Sequence, residues 1–167
     1  MSEKFQAVHR LKRISNYVRN VKHETVGLSH GCFDILGPGH IEHLLQAKKM
    51  CDCLIVTISS DEVVKKNKGQ GRPIIPAVDR VKHLAALECV DHVAVWGQMD
   101  CCSVLRDLKP TYYFKGDDTK VDQGEGWLRE KNQCAQSHIQ IHYTTSQSVY
   151  HTSDIVRVIQ GEASSPS

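Results

Sequence analysis

Residues 31–40, GCFDILGPGH, set one imidazole, His40, directly behind a Gly37-Pro38-Gly39 turn. An apolar, β-branched run at 25–30 (TVGLSH) precedes this stretch, and apolar residues at helical spacing follow it over 40–50 (HIEHLLQAKKM). A strand, a glycine-bearing turn and a helix aim backbone N–H groups and the positive end of a helix dipole at one point, where a phosphate can sit. His40, in the first helical turn, would face that phosphate. The same histidine would equally serve as the cap of an ordinary tight turn, and the turn alone does not separate the two readings.

Further groups follow along the chain. Lys65, Lys66 and Lys68 lie in KKNKGQGRPIIP (65–76), which reads as a loop by its Lys, Gly and Pro content. Taken by themselves they form a solvated, charged surface. Arg80 sits in a helical pattern, 77–88, two turns ahead of Glu88. Asp117-Asp118 after the TYYFK run reads as a turn. His83, His92, His138 and His142 read as structural or exposed, and Trp96 and Trp127 as packing residues.

Something must position these groups, and the hydrophobic periodicity supplies it. Leu11, Ile14, Val18 and Val21 recur at helical spacing, which predicts an amphipathic helix over 4–21 with a basic outer face. Strands are predicted at 25–30, 53–59 (CLIVTIS), 92–96 (HVAVW), 111–115 and 139–143 (IQIHY). Helices are predicted at 40–50, 77–88, 103–108, 123–136 and 152–160, the last with Thr152 as its cap. Strands alternate with helices five times. The expected fold is therefore α/β: a Rossmann-like, doubly wound, five-stranded parallel sheet with helices on both faces. Ligands in such sheets bind beyond the carboxyl ends of the strands. Residues 31–40, 59–76, 115–118 and 144–153 are the places to look.

Composition bounds the function. With 167 residues, one domain over 1–160 and a flexible tail over 161–167 are expected, with no linker or composition shift to mark a second. The 21 Lys+Arg against 19 Asp+Glu lack the basic excess of a dedicated nucleic-acid binder, so the basic first helix reads as a solvated face. No run is long and apolar enough for a membrane span, and the first residues lack the apolar stretch of a signal peptide. Seven cysteines cannot all pair, and Cys51-x-Cys53 and Cys101-Cys102 lack metal or redox spacing. Reduced thiols in a cytoplasmic protein are expected.

GCFDILGPGHIEHLLQAKK resembles the GxFDxxHxGHxxxLxxA signature of the cytidylyltransferase-like nucleotidyltransferases, which include glycerol-3-phosphate cytidylyltransferase and the adenylyltransferase that makes ADP-heptose. TISSDEVVKKNKGQGRPIIPAVDRVKHLAALECVDHV looks like the family's second block, and LKPTYYFKGDD like its third. The likeness runs from residue 5 to 118. It implies transfer of a nucleoside monophosphate from ATP or CTP to a phosphorylated sugar, polyol or similar small acceptor, with release of pyrophosphate. ATP is slightly favoured. The resemblance further implies that His40 contacts the triphosphate and stabilises the transition state, that Lys68, with Lys65 and Lys66 beside it, reaches the phosphates, and that Arg80 clamps one. Asp34 would order the first turn. Gly31, Cys32, Phe33, Gly37 and Gly39 would line the phosphate turn, and Gly116, Asp117 and Asp118 would border the nucleotide pocket. Mg2+ would arrive with the triphosphate rather than in a preformed cage, and relatives suggest a homodimer.

The pattern departs from the family twice. Its first signature histidine falls at Gly37, so one of two triphosphate-binding imidazoles is missing. Near the C-terminus, SVYHTSDIV sets His151, Thr152 and Ser153 over the family's S-T-T. Two hydroxyls survive there, and His151 is a candidate for the charge lost at Gly37. His30 and His43 are two others. These departures motivate a second reading, a nucleotide-binding module with little or no catalysis and a regulatory or assembly role.

Overall fold

The computed structural model describes residues 3–122, 124–146 and 156. Five strands form one sheet: β1 (Val26–Gly31), β2 (Cys53–Ser59), β3 (His92–Trp96), β4 (Tyr112–Gly116) and β5 (Gln140–Thr144), in the order β3-β2-β1-β4-β5. Every neighbouring pair is parallel. The helices are α1 (Val8–Asn20), α2 (Pro38–Lys49), α3 (Asp61–Lys68), α4 (Ala77–Ala85), α5 (Cys102–Leu108) and α6 (Glu125–Gln136), with a 3-10 turn at Asp117–Val121. Strand order reverses between β1 and β4, and that switch point is where open α/β sheets bind ligands.

The sheet separates two apolar layers. On one face α2 and α4 bury Leu44, Ala47, Val81 and Leu84 against Leu54, Val56 and Phe114. On the other, α1, α5 and α6 bury Leu11, Val104, Leu105 and Trp127 against Leu28, Ile55 and Tyr113. Central strands β1 and β2 are therefore apolar on both sides, which explains their nearly unbroken hydrophobic runs. Gly27, on the α2 face of β1, makes that packing possible. A Cβ built there would stand 2.6 Å from both the Cys51 Sγ and the Phe114 ring. Gly27→Ala is expected to cost about 1–3 kcal/mol through overpacking. It should appear as a lower urea midpoint with an unchanged slope.

Two predicted elements differ from those observed. The first helix starts at Val8, not at 4. Residues 4–6 instead run alongside β3, where Phe5 bridges Val93, the Gln6 N–H donates to the Val93 carbonyl and the Val93 N–H donates to the Lys4 carbonyl. This strip covers the sheet edge, an interaction that helical periodicity does not encode. The lysines of 65–68, expected in a loop, form the last turn of α3. The Ser60 side chain accepts from the Val63 N–H, Asp61 and Glu62 occupy the first turn, and Lys65, Lys66 and Lys68 the last. That charge order suits the helix dipole at both ends. The helix stops at Gly69, whose φ of 90° favours glycine. The predicted helix at 152–160 lies outside the described residues, apart from Val156, which is helical and buried.

Candidate functional site

The turn after β1 is built from close approaches. A Cβ at Gly31 would lie 2.9 Å from the Phe33 ring, so glycine leaves room for that ring. Phe33, with a left-handed φ of 49°, packs its ring 5.4 Å from the His40 ring, centroid to centroid. Gly37 is the N-cap of α2 and Pro38 fills its first turn, where a missing N–H costs nothing. The Gly37 N–H donates to His40 Nδ1 at 3.2 Å, so His40 does cap the turn. This bond assigns the ring proton to Nε2. Gly37 itself has φ −107° and ψ 171°, extended values open to any residue. Its backbone does not require glycine.

Burial holds the His40 imidazole below its ordinary pKa. The nearby Lys68 charge pushes the same way, and a hydrogen bond with the Ile35 carbonyl opposes both. Lys68 thus acts on His40 across the turn, and it acts on Cys32 as well. Burial raises the Cys32 thiol, which leaves it a poor nucleophile at neutral pH.

Asp34 orders this region by closing the loop from α3 onto it. Its buried carboxylate accepts the Ile74 N–H at 2.9 Å and the Ile75 N–H at 2.8 Å, and pairs with Arg72 Nε at 2.7 Å. Burial alone would raise its pKa; the two N–H groups and Arg72 outweigh that and hold it below the usual carboxylate value.

Arg80, expected to clamp a phosphate, is turned instead into the protein. It is fully buried. Its Nε donates to the Ile75 carbonyl at 2.9 Å, one terminal nitrogen to the Cys32 carbonyl at 2.5 Å, and the other to Asp61 at 2.7 Å. Asp61 also accepts the Ala77 N–H at the head of α4. Arg80 shares the inward face of α4 with Val81 and Leu84, which is why it is buried. It therefore positions the turn, joining Cys32, the loop and α3. Asp61 was not singled out by sequence reasoning. Its position as the first residue of α3, directly after the Ser60 cap, was the available signal.

The substitutes considered for a second imidazole have other partners. His43, one turn beyond His40, lies 2.7 Å from Ser29 Oγ and 2.5 Å from Thr144 Oγ1. Because the Thr144 hydroxyl donates to the Lys115 carbonyl, His43 donates to Thr144 through Nδ1, and its Nε2 faces Ser29 Oγ. It ties α2 to the ends of β1 and β5. His30 contacts Thr57 Oγ1 at 2.9 Å through Nδ1, and burial pushes its pKa down to about 4. Burial keeps His30 from supplying the missing charge at neutral pH, and His43 is committed to Ser29 and Thr144. His151, Thr152 and Ser153 lie outside the described residues.

Of the remaining sequence candidates, Gly39 is in the first turn of α2, and Lys65 and Lys66 are exposed on α3. Gly116 ends β4, and its carbonyl accepts from Thr119 Oγ1; Asp117 is exposed beside it, and Asp118 belongs to the 3-10 turn. The site thus gathers Gly31–Asp34, Gly37–His40 and Lys68 at the carboxyl end of β1, with Gly116–Asp118 at the end of adjacent β4. All seven cysteines are unpaired thiols. No described helix is long and apolar enough to cross a membrane, and among the described residues no group of three or more His, Cys, Asp or Glu could hold a metal ion.

Known proteins resemble this chain in sequence and in fold. The chain is 44% identical to the bifunctional protein HldE of Streptomyces coelicolor over 97 residues, 58% of this chain and 21% of that one. It is 38% identical to the bifunctional protein HldE of Desulfatibacillum aliphaticivorans over 115 residues, 68% of this chain and 24% of that one. The matched region spans about a fifth to a quarter of these relatives. Among solved structures, the lipopolysaccharide core biosynthesis protein of Thermoplasma volcanium matches with a TM-score of 0.61 at 25% identity, over 77% of this chain and 99% of that one. Pantoate-beta-alanine ligase from Francisella tularensis has the same fold, with a TM-score of 0.61 at 15% identity over 93% of this chain and 76% of that one. The cytidylyltransferase-like family model matches residues 28–158, which takes in the whole turn, the lysine-bearing helix and β4, and the chain belongs to that family.

Proposed function

We propose that this chain is a nucleotidyltransferase that moves a nucleoside monophosphate from ATP or CTP to a phosphorylated sugar or polyol. A phosphate oxygen of the acceptor attacks the α-phosphorus, an O–P bond forms, the bond to the bridging oxygen breaks, and pyrophosphate leaves. Likeness to the HldE proteins favours ATP and a sugar phosphate. The observation that carries the reading is the placement of His40. Its ring is fixed in the first turn of α2, beside Lys68, at the end of β1.

Phosphoryl transfer asks mainly for positioning and charge stabilisation. His40 and the N-terminus of α2 would receive the triphosphate, and Lys68 would add charge from the neighbouring helix. Asp34 and Arg80 would hold the turn and the loop in register. The magnesium ion would enter bound to the triphosphate. A homodimer and a cytoplasmic setting are part of the same proposal. The missing imidazole at Gly37 and the departure at His151 are what support the non-catalytic reading.

Melting curves with magnesium and each of ATP, CTP, GTP and UTP test the proposal without a known acceptor. A nucleotide at 100 times its dissociation constant adds about 2.7 kcal/mol, or roughly 5–10 °C in a domain this size. The expected result is such a shift with ATP or CTP, followed by pyrophosphate release on a panel of sugar and polyol phosphates. No shift with any of the four would reject the proposal.

A further inference from the structure

A second polar cluster lies on the opposite face of the sheet from His40. β1 pairs with β4 up to Ser29↔Phe114 and no further, while β1 follows β2 to Gly31↔Ile58 and β4 follows β5 to Gly116↔Thr144. The central strands therefore part after Ser29 and Phe114. The next residue on each is His30 on β1 and Lys115 on β4. Side chains alternate along a strand, so both share the face of Leu28 and Tyr113, which pack against α1, α5 and α6.

Lys115 is held in an unusual way for a lysine at a strand end. Its side chain is only 17% exposed, and its ammonium lies 3.2 Å from Glu130, 4.8 Å from the centroid of the Trp127 ring and 5.4 Å from that of Tyr113. Glu130 is buried and already accepts the Cys101 N–H at 3.1 Å and the Tyr113 hydroxyl at 2.8 Å. The carboxylate thus has two other donors and keeps partners if the lysine turns away. Trp127 is 5% exposed, and its indole N–H is buried with no hydrogen-bond partner among the described residues. An orphaned buried donor is costly. The other tryptophan, Trp96, donates to the Asp100 carbonyl at 3.0 Å. His30 sits close enough for the charges of both Glu130 and Lys115 to act on its ring.

We infer that Lys115, the Trp127 indole N–H and His30 form the subsite for the acceptor's phosphate at the parting of β1 and β4. A cation, an unpartnered N–H and an imidazole are the groups an oxyanion takes up. Their place fits the reaction. In-line transfer puts the attacking oxygen opposite the leaving pyrophosphate. With the triphosphate at His40 and Lys68 on the α2 side, the acceptor's phosphate approaches from the α6 side, where Lys115 stands. Naming the bound phosphate as the acceptor's rests on the function proposed above.

The two indole N–H resonances of the chain, from Trp96 and Trp127, give a readout that needs no turnover. They are assigned with Trp127→Phe, and the protein is titrated with inorganic phosphate and with glucose 1-phosphate. The Trp127 resonance should move saturably with both, and that of Trp96 much less. Lys115→Met/Glu130→Gln removes both buried charges together, a change that cores commonly tolerate. It should weaken the Trp127 response at least tenfold, and Lys115→Arg should keep it. ATP or CTP alone should leave the Trp127 resonance in place and should not displace glucose 1-phosphate. The subsite is overturned if the Trp127 resonance stays still through tens of millimolar phosphate, or if the double variant responds like the parent. It is also overturned as an acceptor site if nucleotide competes for it. A nucleotide-dependent melting shift with no response at Trp127 would leave the transferase proposal standing and remove the subsite alone. A response at Trp127 in a protein that no nucleotide stabilises would support the anion subsite and reject the transferase.

Discussion

Replacing His40 by alanine is expected to lower kcat by about two to three orders of magnitude, the loss seen when one preorganised transition-state donor is removed. The effect should be large because the family's other histidine position is Gly37 here, and His30 and His43 are engaged with Thr57, Ser29 and Thr144. Alanine also removes the acceptor of the Gly37 N–H, at about 0.5–2 kcal/mol of stability. His40→Asn separates the two effects. Its side-chain oxygen can accept the same N–H, so the melting temperature should recover while turnover does not. The pH profile gives an independent reading. Burial and Lys68 keep the ring below its ordinary value, so the acid limb of kcat/KM due to His40 should fall below pH 6.5. Protonating Nδ1 would also break the bond from Gly37. Pyrophosphate-release kinetics on both variants check these expectations. A kcat within threefold of the parent in His40→Ala would remove His40 from the chemistry.

The sheet was legible because its strands are buried on both faces and alternate with helices. Nothing but a parallel, two-sided sheet satisfies runs such as CLIVTIS and HVAVW together. The turn after β1 was legible too, since two glycines, a proline and a histidine mark a strand-to-helix junction. Pair relations across the chain were less so. Arg80 shows the limit. Its motif position pointed to a phosphate, yet whether an arginine faces ligand or protein depends on what stands opposite, and here that is Asp61 and two carbonyls from other elements. Lys68 shows another. A lysine-rich segment before glycines reads equally as a loop or as the end of a helix, and the Ser60 cap with acidic residues behind it decides for the helix. Lys115 and Glu130 carry no local signal at all. They meet only because β4 and α6 pack together, and their importance rests on where β1 and β4 part.

Asp34 is where sequence and tertiary structure agree most closely, and its removal should be the most damaging single change to stability. Asp34→Ala would leave the Arg72 guanidinium and two loop N–H groups without their acceptor. Breaking a buried charge network by deleting one partner costs about 3–5 kcal/mol, which in a domain of this size means roughly 6–20 °C in Tm. Asp34→Asn keeps one accepting oxygen and should fall between. The pH dependence follows from the sign of the shift. The folded carboxyl titrates below its unfolded value of 3.8, so its contribution is complete above that value and is lost as pH falls through the lower, folded one. The gap in Tm between the parent and Asp34→Ala should therefore be constant from neutral pH to about pH 5 and close progressively below it. Calorimetry across that range decides the matter. A gap under about 1 kcal/mol at pH 7 would mean that the loop is held by Arg80 and Asp61 alone. A large gap that does not close in acid would mean that the loss comes from packing around residue 34 rather than from its charge. Nucleotide affinity should fall with stability, because the loop Asp34 fixes is continuous with the helix that carries Lys68.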